Sequence, residues 1–136
     1  MDYLIIIIIS YAMGSIPFGF LLTKLFLKKD VREIGSGNIG ATNVLRSGNK
    51  IIGYLTLFLD VAKAILPILY VKFSHDDFIY IAALSVFLGH VFPIWLKFKG
   101  GKGVATYLGI LISINIIYGF VFGITWFGLF VEPITA

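Results

Sequence analysis

The chain has 136 residues, 59% of them hydrophobic and 13% charged, with a formal net charge of +4 and a mean hydropathy of +0.98. A soluble globular domain carries about 25% charged residues, so a water-soluble monomer and a disordered chain are both excluded, and the length allows one domain. The lack of cysteine removes disulfides, thiolate metal sites and a cysteine nucleophile. The positive charge does not point to nucleic acid, because nine of the eleven basic residues flank or fill two short loops between apolar runs.

Those runs are expected to be helices, since a lone strand cannot satisfy its backbone in lipid. The first extends from Tyr3 to Leu27, opens on five isoleucines and contains Gly14, Pro17 and Gly19. Pro17 should kink it or start a second segment. Asp2 stands where a signal peptide would be basic, and no small-x-small cleavage site closes the run. A polar, glycine-rich stretch follows, from Lys28 to Lys50. The second run, Ile51 to Phe73, is interrupted by Asp60 and Lys63 and carries Lys72 at its edge, and Ser74 to Asp77 form a polar turn. The third run is Phe78 to Leu96, and a second basic loop covers Lys97 to Gly103. The fourth, Val104 to Phe130, contains Ser113, Asn115, Gly119 and Gly123, and reads as one tilted helix or as two short pieces. The predicted fold class is all-α: a polytopic integral membrane helix bundle with about four transmembrane helices, forming a single domain over 1–136. The lipid bilayer is its environment and no nucleic acid is expected. Basic residues mark the cytoplasmic side, which puts both glycine loops in the cytoplasm and the N-terminus outside.

Gly35, Gly37 and Gly40 match G-x-G-x-x-G, with Asp60 twenty residues past Gly40. A dinucleotide fingerprint needs a strand and a βαβ unit around it, and here Asp60 would lie in a span, so that reading is rejected. What remains is a backbone whose N–H groups can gather around an anion. Ser36, Asn38, Thr42 and Asn43 are short donors, Ala41 to Leu45 looks helical, and Arg46 can meet a phosphate with two prongs. The plainer reading is a polar loop with Arg46 as a membrane-side anchor. Lys99, Gly100, Gly101, Lys102 and Gly103 lead into the fourth run and form a second phosphate-ready helix start, or else a flexible turn with lysines on anionic lipid. Two such loops on one face favour a shared anionic substrate.

Asp60 and Lys63 are three apart and share a helix face. They read as a supporting ion pair inside the membrane, or as part of an electropositive pocket. His90, near the cytoplasmic end of the third run, is either a general base or a hydrogen-bonded core histidine. No group of acids and histidines has metal-ligand spacing, so no metal is proposed. Tyr3, Trp95 and Tyr107 suit the aromatic belts at the membrane surfaces.

Five ordered motifs resemble the bacterial acyl-phosphate:glycerol-3-phosphate acyltransferase family, often called PlsY. They are Gly14-Ser15-Ile16-Pro17-Phe18-Gly19, Gly35 to Arg46, Asp60-Val61-Ala62-Lys63, Gly89-His90-Val91-Phe92-Pro93, and Phe98 to Thr106. The resemblance implies a polytopic inner-membrane enzyme. Such an enzyme moves an acyl group from acyl phosphate to the 1-hydroxyl of glycerol 3-phosphate, giving lysophosphatidic acid without a cofactor. It also implies an essential serine and arginine at Ser36 and Arg46, and a glycine-rich site for the glycerol 3-phosphate phosphate at Gly100 to Gly103. Family members are longer, with further spans and a third motif of histidine, asparagine and glutamate that Glu132 to Ala136 do not match. A fragment, a split gene product or a degenerate copy is therefore expected, and a missing C-terminal segment is a possible partner. The alternative classes are a transporter for a phosphorylated metabolite and an inactive scaffold.

Overall fold

The computed structural model describes residues 2–46 and 49–131; the tail from Glu132 to Ala136 lies outside the described residues. Helices dominate. The first run gives α1 (Asp2–Gly14) and α2 (Phe18–Leu22), the latter widening into a π-helical turn over Thr23–Leu27. The break between them falls at Ser15 to Pro17, because proline has no N–H for the helical ladder. The polar stretch carries a short 3-10 turn, Val31–Glu33, and a two-turn helix, α3 (Ala41–Arg46). The second run is a single helix, α4 (Lys50–Ser74), the third gives α5 (Ile79–Val91), and the fourth is divided into α6 (Val104–Ile114) and α7 (Ile116–Trp126).

Three helical segments are long and apolar enough to cross a membrane: Tyr3–Leu27, Lys50–Ser74 and Asp76–Leu96. The fourth run behaves differently. α6 has 11 residues, about 16 Å of helix at 1.5 Å per residue, roughly half of a hydrocarbon core, and α7 has 11 and runs on into a π-helical turn over Phe127–Val131. Asn115 between them is extended, and its side chain accepts from Ile117 N–H at 3.0 Å, capping α7. α7 folds back along α6: Gly119 lies against Ile112, and the Phe122 ring meets Tyr107 edge-on at 5.2 Å. Of the two readings left open for this run, the pair of short pieces is the observed one. Lys72 of α4 reaches the carbonyls of Ser113 and Ile114 at 3.1 and 3.2 Å, placing a cation on the C-terminal end of α6, where the helix dipole favours it.

The central core joins α1, α4, α5 and α6 through Ile6, Ala64, Ile68, Val71, Ala82, Val86 and Ile110. α1 and α5 cross closely because each offers a glycine at the crossing. A Cβ on Gly14 would strike the Val86 backbone, and one on Gly89 the backbone of Tyr11 and Ser15. Small residues let helices approach where no hydrophobic effect drives them together. Tyr11 donates to the Phe92 carbonyl at 2.7 Å and Trp95 Nε1 to Ser15 Oγ at 3.0 Å. Trp95 thus ties the end of the third run to the break in the first.

Candidate active site

The first glycine loop is a folded unit. Its apolar residues Val31, Ile39 and Val44 form a second small core with Ile52 and Leu96. Asn43, 2% exposed, is its polar centre. The side-chain nitrogen lies 3.1, 2.8 and 2.8 Å from the carbonyls of Val31, Ile34 and Asn38. The side-chain oxygen accepts from Ser36 N–H at 3.2 Å. Gly37 N–H donates to Ile34 O, Asn38 N–H to Ser36 Oγ, and Gly40 N–H to Asn38 Oδ1. Gly35 and Gly37 have φ of 52° and 78°, which glycine adopts without a Cβ penalty.

This corrects the reading of that backbone as an open anion nest. The N–H groups of Ser36, Gly37, Asn38 and Gly40 are spent inside the loop. The glycines serve its turns, and Asn43 holds the loop together with every polar atom committed. In the second loop two backbone donors are committed in the same way, while Lys102 and Gly103 keep their place at the cavity. Gly100 N–H donates to Val91 O at 2.9 Å and Gly101 N–H to His90 O at 3.2 Å, closing carbonyls that the end of α5 leaves open. Lys99 is exposed, and Lys99, Gly100, Gly101, Gly35 and Gly37 are not among the residues lining the cavity described next.

That cavity has a volume of about 590 Å³ and brings both loops together. Ser36, Asn38, Thr42, Arg46, Lys50, Lys102 and Gly103 line its polar part. Leu57, Leu108, Phe122, Trp126 and Phe127 line an apolar part, to which the α6–α7 hairpin contributes heavily. Arg46 and Lys102 come from different loops, and neither they nor Lys50 has an ion-pair partner among the described residues. Lys50, Tyr54 and the hairpin aromatics had not been singled out from the sequence. Lys50, Tyr54, Leu57 and Asp60 are spaced four, three and three apart, the signature of one helix face, and that spacing was available.

Asp60 and His90 also line the cavity. Lys63, with a side chain 2% exposed, lies 3.1 Å from Asp60 Oδ1. The contact is Coulombic, because that oxygen has no well-directed hydrogen bond. Lys63 Nζ also stands 2.9 Å from the Ile16 carbonyl and 2.9 Å from His90 Nδ1. The expected Asp60–Lys63 pair is present, and it extends to His90 and to the backbone exposed by the proline break. A Cβ on Gly101 would meet His90 Nε2 and Cε1, so this glycine makes room for the imidazole.

A family model described as glycerol-3-phosphate acyltransferase matches residues 4–132. The chain is 72% identical over 126 residues to a glycerol-3-phosphate acyltransferase of Pelagibacter ubique (strain HTCC1062), covering 93% of this chain and 66% of that relative. It is 56% identical over 131 residues to the same-named protein of Bartonella henselae, covering 93% of this chain and 62% of that one. It therefore spans slightly under two thirds of the length of these curated relatives. Among solved structures, it is similar to the glycerol 3-phosphate form of PlsY, an integral membrane glycerol 3-phosphate acyltransferase. The TM-score is 0.88 and the identity 38%, over 97% of this chain and 67% of that one. A lysophosphatidic acid form of PlsY matches with a TM-score of 0.84 and 37% identity, over 97% and 66%. With a family model matched over residues 4–132 and relatives at this identity, the chain belongs to the glycerol-3-phosphate acyltransferase family.

Proposed function

We propose that this chain carries the substrate cavity of an acyl-phosphate:glycerol-3-phosphate acyltransferase in a bacterial inner membrane, with both glycine loops in the cytoplasm. The observation that carries the reading is the two-part cavity. Cations from two loops, Arg46 and Lys102, join Lys50 at one part, and an apolar wall from α4, α6 and α7 lines the other. Phosphate suits the first and an acyl chain the second. The two forms of the solved relative, named for glycerol 3-phosphate and lysophosphatidic acid, support the same pair of chemistries. The acyl phosphate arrives activated. The 1-hydroxyl oxygen of glycerol 3-phosphate bonds to the acyl carbon, the bond from that carbon to the phosphate oxygen breaks, and phosphate departs with the proton. Ser36 and Thr42 supply hydroxyl donors beside Arg46, and such donors stabilise charge developing on the reacting oxygens. The comparisons favour acyl transfer over transport.

The test is formation of lysophosphatidic acid from acyl phosphate and glycerol 3-phosphate in proteoliposomes. Arg46→Lys keeps the charge and loses the planar fork. With Lys102→Met and Ser36→Ala, it should lower kcat/KM by about tenfold to a hundredfold, the worth of one charged hydrogen bond. Unchanged kinetics in all three, or flux of glycerol 3-phosphate without product, would reject the reading. A cysteine at Lys99 should react with an impermeant thiol reagent only from the cytoplasmic side, and labelling from outside would reject the orientation.

A further inference from the structure

Phosphate recognition leaves Asp60, Lys63 and His90 without a task, although two of them line the cavity. An ammonium has three N–H donors and no acceptor. Around Lys63 Nζ stand three acceptors from three parts of the chain. The Ile16 carbonyl at the α1–α2 break is at 2.9 Å, His90 Nδ1 on α5 at 2.9 Å, and Asp60 Oδ1 on α4 at 3.1 Å. The Phe18 ring centroid lies 5.8 Å away, offering its face to the cation. Two of the ammonium N–H groups have directed acceptors in Ile16 and His90, and the Asp60 carboxylate faces the ammonium as its countercharge. With Nδ1 accepting from an ammonium, the neutral imidazole carries its proton on Nε2. His90 Nε2 has no hydrogen-bond partner among the described residues. The Gly101 backbone beside it leaves no space for a side chain.

We propose that Lys63 is a positioning residue that fixes His90 as a hydrogen-bond donor at the cavity wall, its Nε2–H meeting an oxygen of the acyl-phosphate group. The catalytic half of this statement rests on the acyl-transfer reading above; the Lys63–His90 half does not. Of the two readings of His90, general base and hydrogen-bonded core histidine, this arrangement excludes the first, because its one basic lone pair is taken by Lys63. The proton of the attacking hydroxyl is carried off by the leaving phosphate. Asp60 balances the Lys63 charge, which a buried ammonium requires.

The chain has two histidines, so His75→Gln leaves His90 as the only imidazole. Nitrogen-15 spectra of that protein in lipid nanodiscs should show the ring proton on Nε2. Lys63→Met should release the ring to a mixture of tautomers. Lys63→Gln, whose amide can still donate to Nδ1, should restore the Nε2–H form. In the acyl-transfer assay Lys63→Met should lose about a hundredfold in kcat, the scale of a misplaced group, with glycerol 3-phosphate saturation little changed and partial recovery in Lys63→Gln. A proton on Nδ1, or on both nitrogens, in the Lys63 protein overturns the proposal. That spectrum decides it even if Lys63→Met fails to assemble or no acyl transfer is found. Normal turnover in Lys63→Met, with product forming, overturns the positioning role while leaving the acyl-transfer reading intact.

Discussion

The first glycine loop is held by a side chain and a small core, the second by backbone bonds to the end of a neighbouring helix. In the first, Asn43 gathers the backbone of residues 31 to 38, and Val31, Ile39 and Val44 anchor it. In the second, Gly100 and Gly101 bond to α5, and Gly101 flanks the His90 ring. The two loops are alike in sequence, yet their glycines do different work: turning the chain in one, clearing space in the other. In both, backbone donors build the scaffold and side chains, Arg46 and Lys102, face the cavity.

The largest effect is expected from removing the support peculiar to the first loop. Asn43→Ala leaves the Asn38 carbonyl and the Ser36 N–H without their side-chain partner, each worth about 1–3 kcal/mol when buried without a partner, and takes one of two donors from the Val31 and Ile34 carbonyls. Acyl transfer should fall by at least about a hundredfold as Arg46 is misplaced. Protease should cut within residues 28–49, while helix content by circular dichroism stays constant. Resistance to protease with normal turnover would mean that the small core alone holds the loop.

The second loop should fail in another way. In Gly101→Ala the added Cβ presses on His90, so kcat should fall by roughly tenfold or more, the scale of a disturbed catalytic geometry, and half-saturation for glycerol 3-phosphate should move less. A rise in KM alone would instead return Gly101 to phosphate binding and remove the contrast between the loops.

The smallest effect belongs to the rim of the first loop. Asp30 accepts from the Arg32 side chain at 2.7 Å and from its backbone at 2.9 Å. Hydrogen bonding to Arg32 lowers its pKa from 3.8 to about 2. The folded value is below the unfolded one, so the stabilisation is complete above about pH 4 and is lost as pH falls through about 2. An exposed pair of this type contributes about 0–1 kcal/mol. Asp30→Asn should therefore lower the thermal midpoint slightly at pH 7 and not at all near pH 2. A large loss at pH 7 would make the rim as important as Asn43.

The helices were legible because their signals are local. Long apolar runs give spans, Pro17 gives a break, and Ala41 to Arg46 forms the short helix its composition suggests. The juxtaposition of the two loops also followed, from basic residues recurring at alternate ends. The partners of individual donors were not legible. That Asn43 faces inward and Arg46 outward depends on Val31, Ile39 and Val44 finding Ile52 and Leu96, contacts set by tertiary packing. Lys63 reaching Ile16, 47 residues away in the chain, is likewise a product of how α1, α4 and α5 meet. The fold-back of the fourth run had a readable cue in Asn115, a polar capping residue within an apolar stretch.

That hairpin has a consequence for what the cavity rests on. A helix of 11 residues such as α6 is too short to settle across a bilayer by its own hydrophobicity, which takes about 20. Contact with its neighbours therefore keeps it in place. The surface that receives it is α4, where Gly109 sits on the Val61 backbone and Lys72 clasps the end of α6. The cavity, whose wall includes Phe122 and Trp126, thus depends on a seat to which neither ring belongs.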